Sequence, residues 1–281
     1  MSMDGDVRLT AVAVPGARHA AENRPCEDAA SATAVDGMVI LAVADGHGDA
    51  RHPRADEGAR LAVAAGSDCL LRVGREWKPL LRDGALTQHD LEKKLPGVKQ
   101  TIRAEWLRRL QLHQEFIAGV EMRYVEEVET IQSGREVAGE VADDPAAYGT
   151  TLILALIIQP WCLFLRIGDG EACLAKADDT PPVRIFDRRG EVNEKAFSNQ
   201  TVGLASRPSD ESTFDTLFEH RIMKLEEAAG LICLVTDGVS DPYTRVDLEA
   251  RQDDRPSELA RVWAGVCNNR FKQTLRELPL K

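Results

Sequence analysis

Three aspartates stand beside glycine, far apart in the chain, and each follows an apolar run. Met38–Ala44 ends in Asp45-Gly46-His47-Gly48, Trp161–Ile167 in Gly168-Asp169-Gly170, and Leu231–Thr236 in Asp237-Gly238-Val239-Ser240-Asp241. One Asp-Gly is a turn signal. Three of them at strand ends admit a second reading: carboxylates brought to one point repel each other unless a cation sits among them. All the candidate ligands are oxygens, which suits Mg2+, Mn2+ or Ca2+ and argues against zinc. The adjacent glycines let the backbone approach a metal closely and turn away. Glu27-Asp28 adds a further acidic pair, and Gly149-Thr150-Thr151 opens a strand. Taken singly, these two are a loop pair and a strand start.

Such side chains need strands to carry them. Met38–Ala44 is a continuous apolar run of strand length, which reads as a buried strand. Thr151–Ile158 and Trp161–Ile167 are joined by Gln159-Pro160, and so short a connector predicts an antiparallel hairpin. Glu171–Ala175, Val183–Phe186 and Leu231–Thr236 are further strand candidates. Helices are expected over Ala55–Gly74 and Gln88–Val141. In the second, Ile102, Trp106, Leu110 and Ile117 form one stripe that Val120, Tyr124, Val128 and Ile131 continue. Its charged residues read most simply as a solvated face. Asp143–Pro145 and Ala177–Pro182 read as loops. Strands at both ends with helices inserted between them predict one mixed α+β domain over residues 1–281.

Composition narrows the partners. With 35 basic and 46 acidic side chains the net charge is −11, which argues against a general nucleic-acid binder. A phosphorylated substrate stays open, because bound cations reverse the local field. The longest apolar runs hold seven residues, against about 20 for a membrane-spanning helix. The start, Met-Ser-Met-Asp-Gly-Asp, shows no secretory pattern. Six cysteines are scattered without a C-x-x-C pair, and Cys162, Cys173 and Cys233 fall in or beside apolar runs, so buried free thiols are expected. These features predict a soluble, reduced, cytoplasmic protein that uses no membrane.

In order and spacing, Glu27-Asp28, Asp45-Gly46-His47-Gly48, Gly149-Thr150-Thr151, Gly168-Asp169-Gly170 and Asp237-Gly238-Val239-Ser240-Asp241 resemble the metal-dependent protein phosphatase 2C (PP2C, PPM) family. His19 followed by Pro25-Cys26-Glu27-Asp28-Ala29 is similar to a bacterial branch, in which glutamine stands where this chain has Glu27. The resemblance implies an α-β-β-α sandwich with two central antiparallel sheets and two to three Mg2+ or Mn2+ ions at one end. It implies Asp45 as the bridging carboxylate and the Gly46 carbonyl as a ligand. Asp237 would bind one of the pair, and Asp169, Asp237 and Asp241 would surround a third ion. Glu27 and Asp28 would act through metal-bound water. The implied reaction is hydrolysis of phosphoserine or phosphothreonine in phosphoprotein substrates by a metal-bridging hydroxide. His47 is placed to protonate the leaving oxygen.

Two features depart from the family's pattern. An arginine near the first acidic pair usually grips the phosphate. Arg24 lies close to that spacing but not on it, and His19 is the other candidate. The family also ends in a strand preceded by an acidic pair. Here Asp253-Asp254 leads into Pro256 and a helical-looking Ser257–Gln273, so the C-terminal metal-binding strand is expected to be missing. Truncation, a partner supplying the strand, and an incomplete site are the readings of that gap. The corresponding alternative function is a catalytically impaired binding or regulatory module. Hydrolysis of small phosphate esters is a third.

Overall fold

Both faces of the central strands are apolar, and the fold uses both. The structure, a computed structural model, describes residues 7–15, 17–22, 24–48, 51–129, 144–176, 183–186, 202–206, 211–225 and 229–237. Strands β1 (Asp28–Val35), β2 (Met38–Asp45), β3 (Leu152–Ile158), β4 (Trp161–Ile167) and, later in the chain, β7 (Glu219–Lys224) make one sheet. Its order is β1-β2-β3-β4-β7, antiparallel throughout. A second antiparallel sheet has the order β6-β5-β8, from β5 (Glu171–Lys176), β6 (Val183–Arg184) and β8 (Ala229–Val235).

Helix α2 (Ala55–Arg82) lies on one face of the first sheet, and α3 (Gln88–Glu129) packs on α2. Side chains alternate across a strand, so Leu152, Leu154, Leu156 and Ile158 of β3 pack toward the helices with Met38, Ile40 and Leu70. Ile153, Ala155 and Ile157 of the same strand meet Ala172 and Leu174 of the second sheet. That double burial explains why β2 and β3 read as unbroken apolar runs rather than as alternating ones. The architecture is the expected α+β stack of helices on two antiparallel sheets.

The β3–β4 hairpin forms as expected, with Ile158 opposite Trp161 across the two-residue turn. Strand β1, not anticipated from its alanine-rich sequence, pairs along its whole length with β2 through Asp36-Gly37, both at positive φ. The short helix α4 (Glu211–Leu217) and β7 are likewise additions, while β6 covers only the first half of Val183–Phe186.

Helix α2 runs eight residues past the expected end at Gly74. Gly58, Gly66 and Gly74 recur every eight residues along it, and each is buried. A Cβ on Gly66 would lie 2.7 Å from Leu154 Cδ2, and one on Gly74 would lie 2.7 Å from Met38 Sδ. Gly74 is thus a place where the helix touches the sheet, not a terminator. In α3, Ile102, Trp106 and Leu110 are buried as the stripe requires, but Ile117 is only half-buried and Val120 is exposed, so the expected buried stripe does not hold beyond Leu110. Residues 130–141 of the expected helix lie outside the described residues, as do Tyr124, Val128 and Ile131 as side chains. Asp241, Asp253-Asp254 and Ser257–Gln273 lie outside them too. No helix among the described residues is long and apolar enough to cross a membrane.

Candidate active site

The register of β1 on β2 places Asp28 directly opposite Asp45. Like charges facing each other across two strands are unfavourable, and this pair sits where the ladder ends. Gly46 continues the ladder by one bond, its N–H donating to the Glu27 carbonyl at 3.0 Å. On the other side, Thr151 holds Asp45 by its backbone: the Asp45 N–H donates to Thr151 Oγ1 at 3.0 Å, and the Thr151 N–H donates to the Asp45 carbonyl at 2.9 Å. Thr150 Oγ1 donates to the same carbonyl at 2.9 Å. The Gly-Thr-Thr segment is therefore the clamp on the aspartate.

The second sheet brings its own carboxylates to this end. After β4 the chain turns through Gly168, at φ +113°, and Asp169 to enter β5. Glu171 pairs with Val235, so Thr236-Asp237 emerges beside that turn. A Cβ on Gly170 would lie 2.6 Å from Ile153 Cδ1 and 2.7 Å from the Val235 carbonyl, so only glycine lets the chain cross between the sheets there. Buried Arg166 donates to Glu219 Oε2 at 2.5 and 2.7 Å and to the Gly170 carbonyl at 3.3 Å, steadying the turn.

Electrostatics report the convergence. Burial pushes the Asp45 carboxyl far above the usual carboxylate range, helped by a hydrogen bond to Asp237 and by the charges of Asp28, Asp237 and Asp169. Asp28 is raised to about 6, by burial first and then by Asp237 and Glu27, against a hydrogen bond from Thr236 that lowers it. Asp28 Oδ1 is buried with no hydrogen-bond partner among the described residues. No group of three His, Cys, Asp or Glu side chains among the described residues is already gathered at ligating distance of one point.

A cleft of about 530 Å³ opens over this end, lined by His19, Glu27, Asp45, Gly46, His47, Asp169 and Asp237 among others. Seven residues singled out in the sequence thus share one cleft. Asp28 lies behind it, coupled by charge to Asp237 and Glu27. Arg24 reaches the cleft's edge through Glu27: its Nη2 pairs with Glu27 Oε1 at 2.5 Å, and its Nη1 lies 3.8 Å from Glu22. His19, on the short helix α1 (Ala17–Ala21), has Nε2 3.9 Å from Glu27 Oε2.

Sequence reasoning missed Arg51, His52 and Ser206, which line the same cleft. Arg51-His52 follows the Asp-Gly-His-Gly run by a few residues, and that proximity was the signal available. Ser206 had none. Its segment is held by a bond from the Leu204 N–H to the Thr150 carbonyl at 2.9 Å, and by Arg103 of α3, which donates to the Ser206 carbonyl at 2.8 Å. The cysteines take no part: burial raises the Cys162, Cys173 and Cys233 thiols, and all three are free of disulfides.

Two antiparallel sheets thus meet at a cleft lined by aspartates, with a histidine beside them. The family model of protein phosphatase 2C matches residues 15–278, and the chain belongs to that family. Among solved structures, the serine/threonine phosphatase Stp1 from Staphylococcus aureus is 15% identical, over 98% of this chain and 90% of that one, with a TM-score of 0.52. A bacterial serine phosphatase is 15% identical over 94% and 92% of the two chains, with a TM-score of 0.48. The serine/threonine phosphatase of S. agalactiae is 14% identical over 83% and 81%, with a TM-score of 0.45. The likeness to Stp1 speaks to the fold. No curated protein matches the chain.

Proposed function

We propose that this chain is a divalent-metal-dependent protein phosphatase that hydrolyses phosphoserine and phosphothreonine. The observation that carries the reading is the meeting of Asp28 and Asp45 from one sheet with Asp169 and Asp237 from the other. Membership of the protein phosphatase 2C family supports it. The residues present fit Mg2+ or Mn2+. The donors are hard oxygens, and one buried Asp28 oxygen lacks a hydrogen-bond partner among the described residues. Asp45, the Gly46 carbonyl, Asp169 and Asp237 would hold the ions directly, with Glu27 and Asp28 behind them and Asp241 completing the set. When bound, the ions would supply a water of lowered pKa and neutralise the phosphoryl oxygens.

The chain's own groups do the remaining work. His47, in the cleft, delivers a proton to the departing serine or threonine oxygen. His19 and Arg51 present N–H donors to the phosphoryl oxygens, while Arg24 orders Glu27 through their ion pair. The expected test is hydrolysis of p-nitrophenyl phosphate and of a phosphoserine peptide. Turnover should require added Mn2+ or Mg2+, stop with EDTA, and fall at least about 100-fold in Asp45→Asn. Metal binding by calorimetry with no turnover of either substrate would reassign the chain to a binding or regulatory role.

A further inference from the structure

We propose that His52 is a positioning residue for His47, holding its imidazole in the orientation that serves the leaving group. The inference rests on the role given to His47 above and concerns a residue outside the aspartate set.

His52 Nδ1 is hydrogen-bonded to the Ala146 carbonyl in the 3₁₀ turn Pro145–Tyr148. A carbonyl only accepts, so Nδ1 carries the proton, which fixes both the tautomer and the plane of the ring. The ring so fixed meets His47 edge to face, with centroids 4.9 Å apart and planes at 73°. Two glycines stand close on other sides. A Cβ on Gly149 would lie 2.5 Å from His52 Nδ1 and 2.8 Å from His47 Nδ1, and one on Gly203 would lie 3.0 Å from His47 Cε1. His47 is also tied by its backbone, its N–H donating to the Gly149 carbonyl at 2.9 Å. The imidazole is thus flanked by His52, Gly149 and Gly203. Of these three only His52 contributes a side chain.

A support of this kind acts on proton delivery, so its loss should depend on the leaving group. Phenyl phosphate needs a proton on its departing oxygen far more than p-nitrophenyl phosphate does. In the Mn2+-loaded enzyme, His52→Ala should lower kcat on phenyl phosphate about tenfold and on p-nitrophenyl phosphate less than about twofold. KM should stay unchanged for both. His52→Asn, which keeps an N–H donor for Ala146 but not the ring, should behave like His52→Ala, and it carries the comparison if the alanine variant does not fold. Equal losses on the two esters, or no loss on either, overturn the proposal. His47→Ala run in parallel separates the two inferences: if it shows no leaving-group dependence, the role given to His47 fails first. A readout apart from activity is the imidazole nitrogen NMR spectrum of the metal-free protein. It should show the His52 proton on Nδ1, and a proton on Nε2 instead would sink the idea.

Discussion

Gly46 illustrates how little freedom the residues beside the aspartates have. A Cβ there would lie 2.7 Å from the Ala55 carbonyl oxygen and 2.8 Å from that of Glu27. Both neighbours are backbone, at the start of α2 and at the entry to β1, and neither can rotate away. Gly46→Ala should therefore push the end of β2 off its partners. The expected cost is about 1–3 kcal/mol of stability, of the size seen for overpacking, read as a lower melting temperature, with metal-dependent turnover lost alongside. A variant that melts and turns over like the parent would remove the close packing from the account. At this scale the sequence was informative wherever a residue announces itself by type. Asp45, Asp169 and Asp237 each follow an apolar run and precede glycine, and the structure brings all three to one cleft. His52 and Arg103 carried no such mark. Their importance comes from what the fold sets beside them: a carbonyl and an imidazole for the first, a loop from a hundred residues downstream for the second.

At the scale of elements, α2 connects the core to the cleft. Its first turn is stitched to the 3₁₀ turn, the Arg54 N–H donating to the Ala147 carbonyl at 2.9 Å, and that turn leads into the Gly-Thr-Thr clamp on Asp45. Its glycines differ in what they touch, which yields a graded prediction. A Cβ on Gly58 would collide with the Tyr148 carbonyl, on Gly66 with the branched end of Leu154, and on Gly74 with the flexible sulfur end of Met38. Helix propensity alone favours alanine over glycine by about 1 kcal/mol. Gly74→Ala should thus be near neutral, Gly66→Ala should cost about 1–2 kcal/mol, and Gly58→Ala more than either. Urea unfolding of the three variants checks the order, and equal effects would show that propensity, not contact, dominates. Helices and long apolar strands were legible here because their periodicity is carried by many residues at once. Strand β1 was not, since Asp-Ala-Ala-Ser-Ala-Thr-Ala-Val offers weak β-propensity and its evidence lay in the Asp36-Gly37 turn that follows. The end of α2 was misplaced for a related reason: glycine signals a stop only when nothing packs against it.

The whole molecule carries a net charge of −11, and its least comfortable carboxylates lie where the two sheets meet. This sets a pH dependence whose sign follows from the raised values. Asp28 has a folded pKa of about 6 against a usual 3.8. The folded metal-free protein therefore holds that proton more tightly than the unfolded chain does. Stability from this group is fully present below about pH 4 and is lost as pH climbs to about 6, by roughly 3 kcal/mol at most. Asp45 shifts in the same direction and further, so its loss extends to higher pH. Glu105, held at about 2 by Arg108 and Arg109 of α3, works the other way. Its contribution is lost only in acid, which makes the range above pH 5 the clean one to read. In EDTA the melting temperature should fall between pH 5 and pH 7. Added Mn2+ or Mg2+ should restore it, with a larger gain at pH 7 than at pH 5, where protons compete for the same oxygens. Asp28→Asn should flatten the EDTA profile without needing any substrate. A melting temperature that rises over this range in EDTA and ignores the cations would mean that the carboxylates do not share a strained common site.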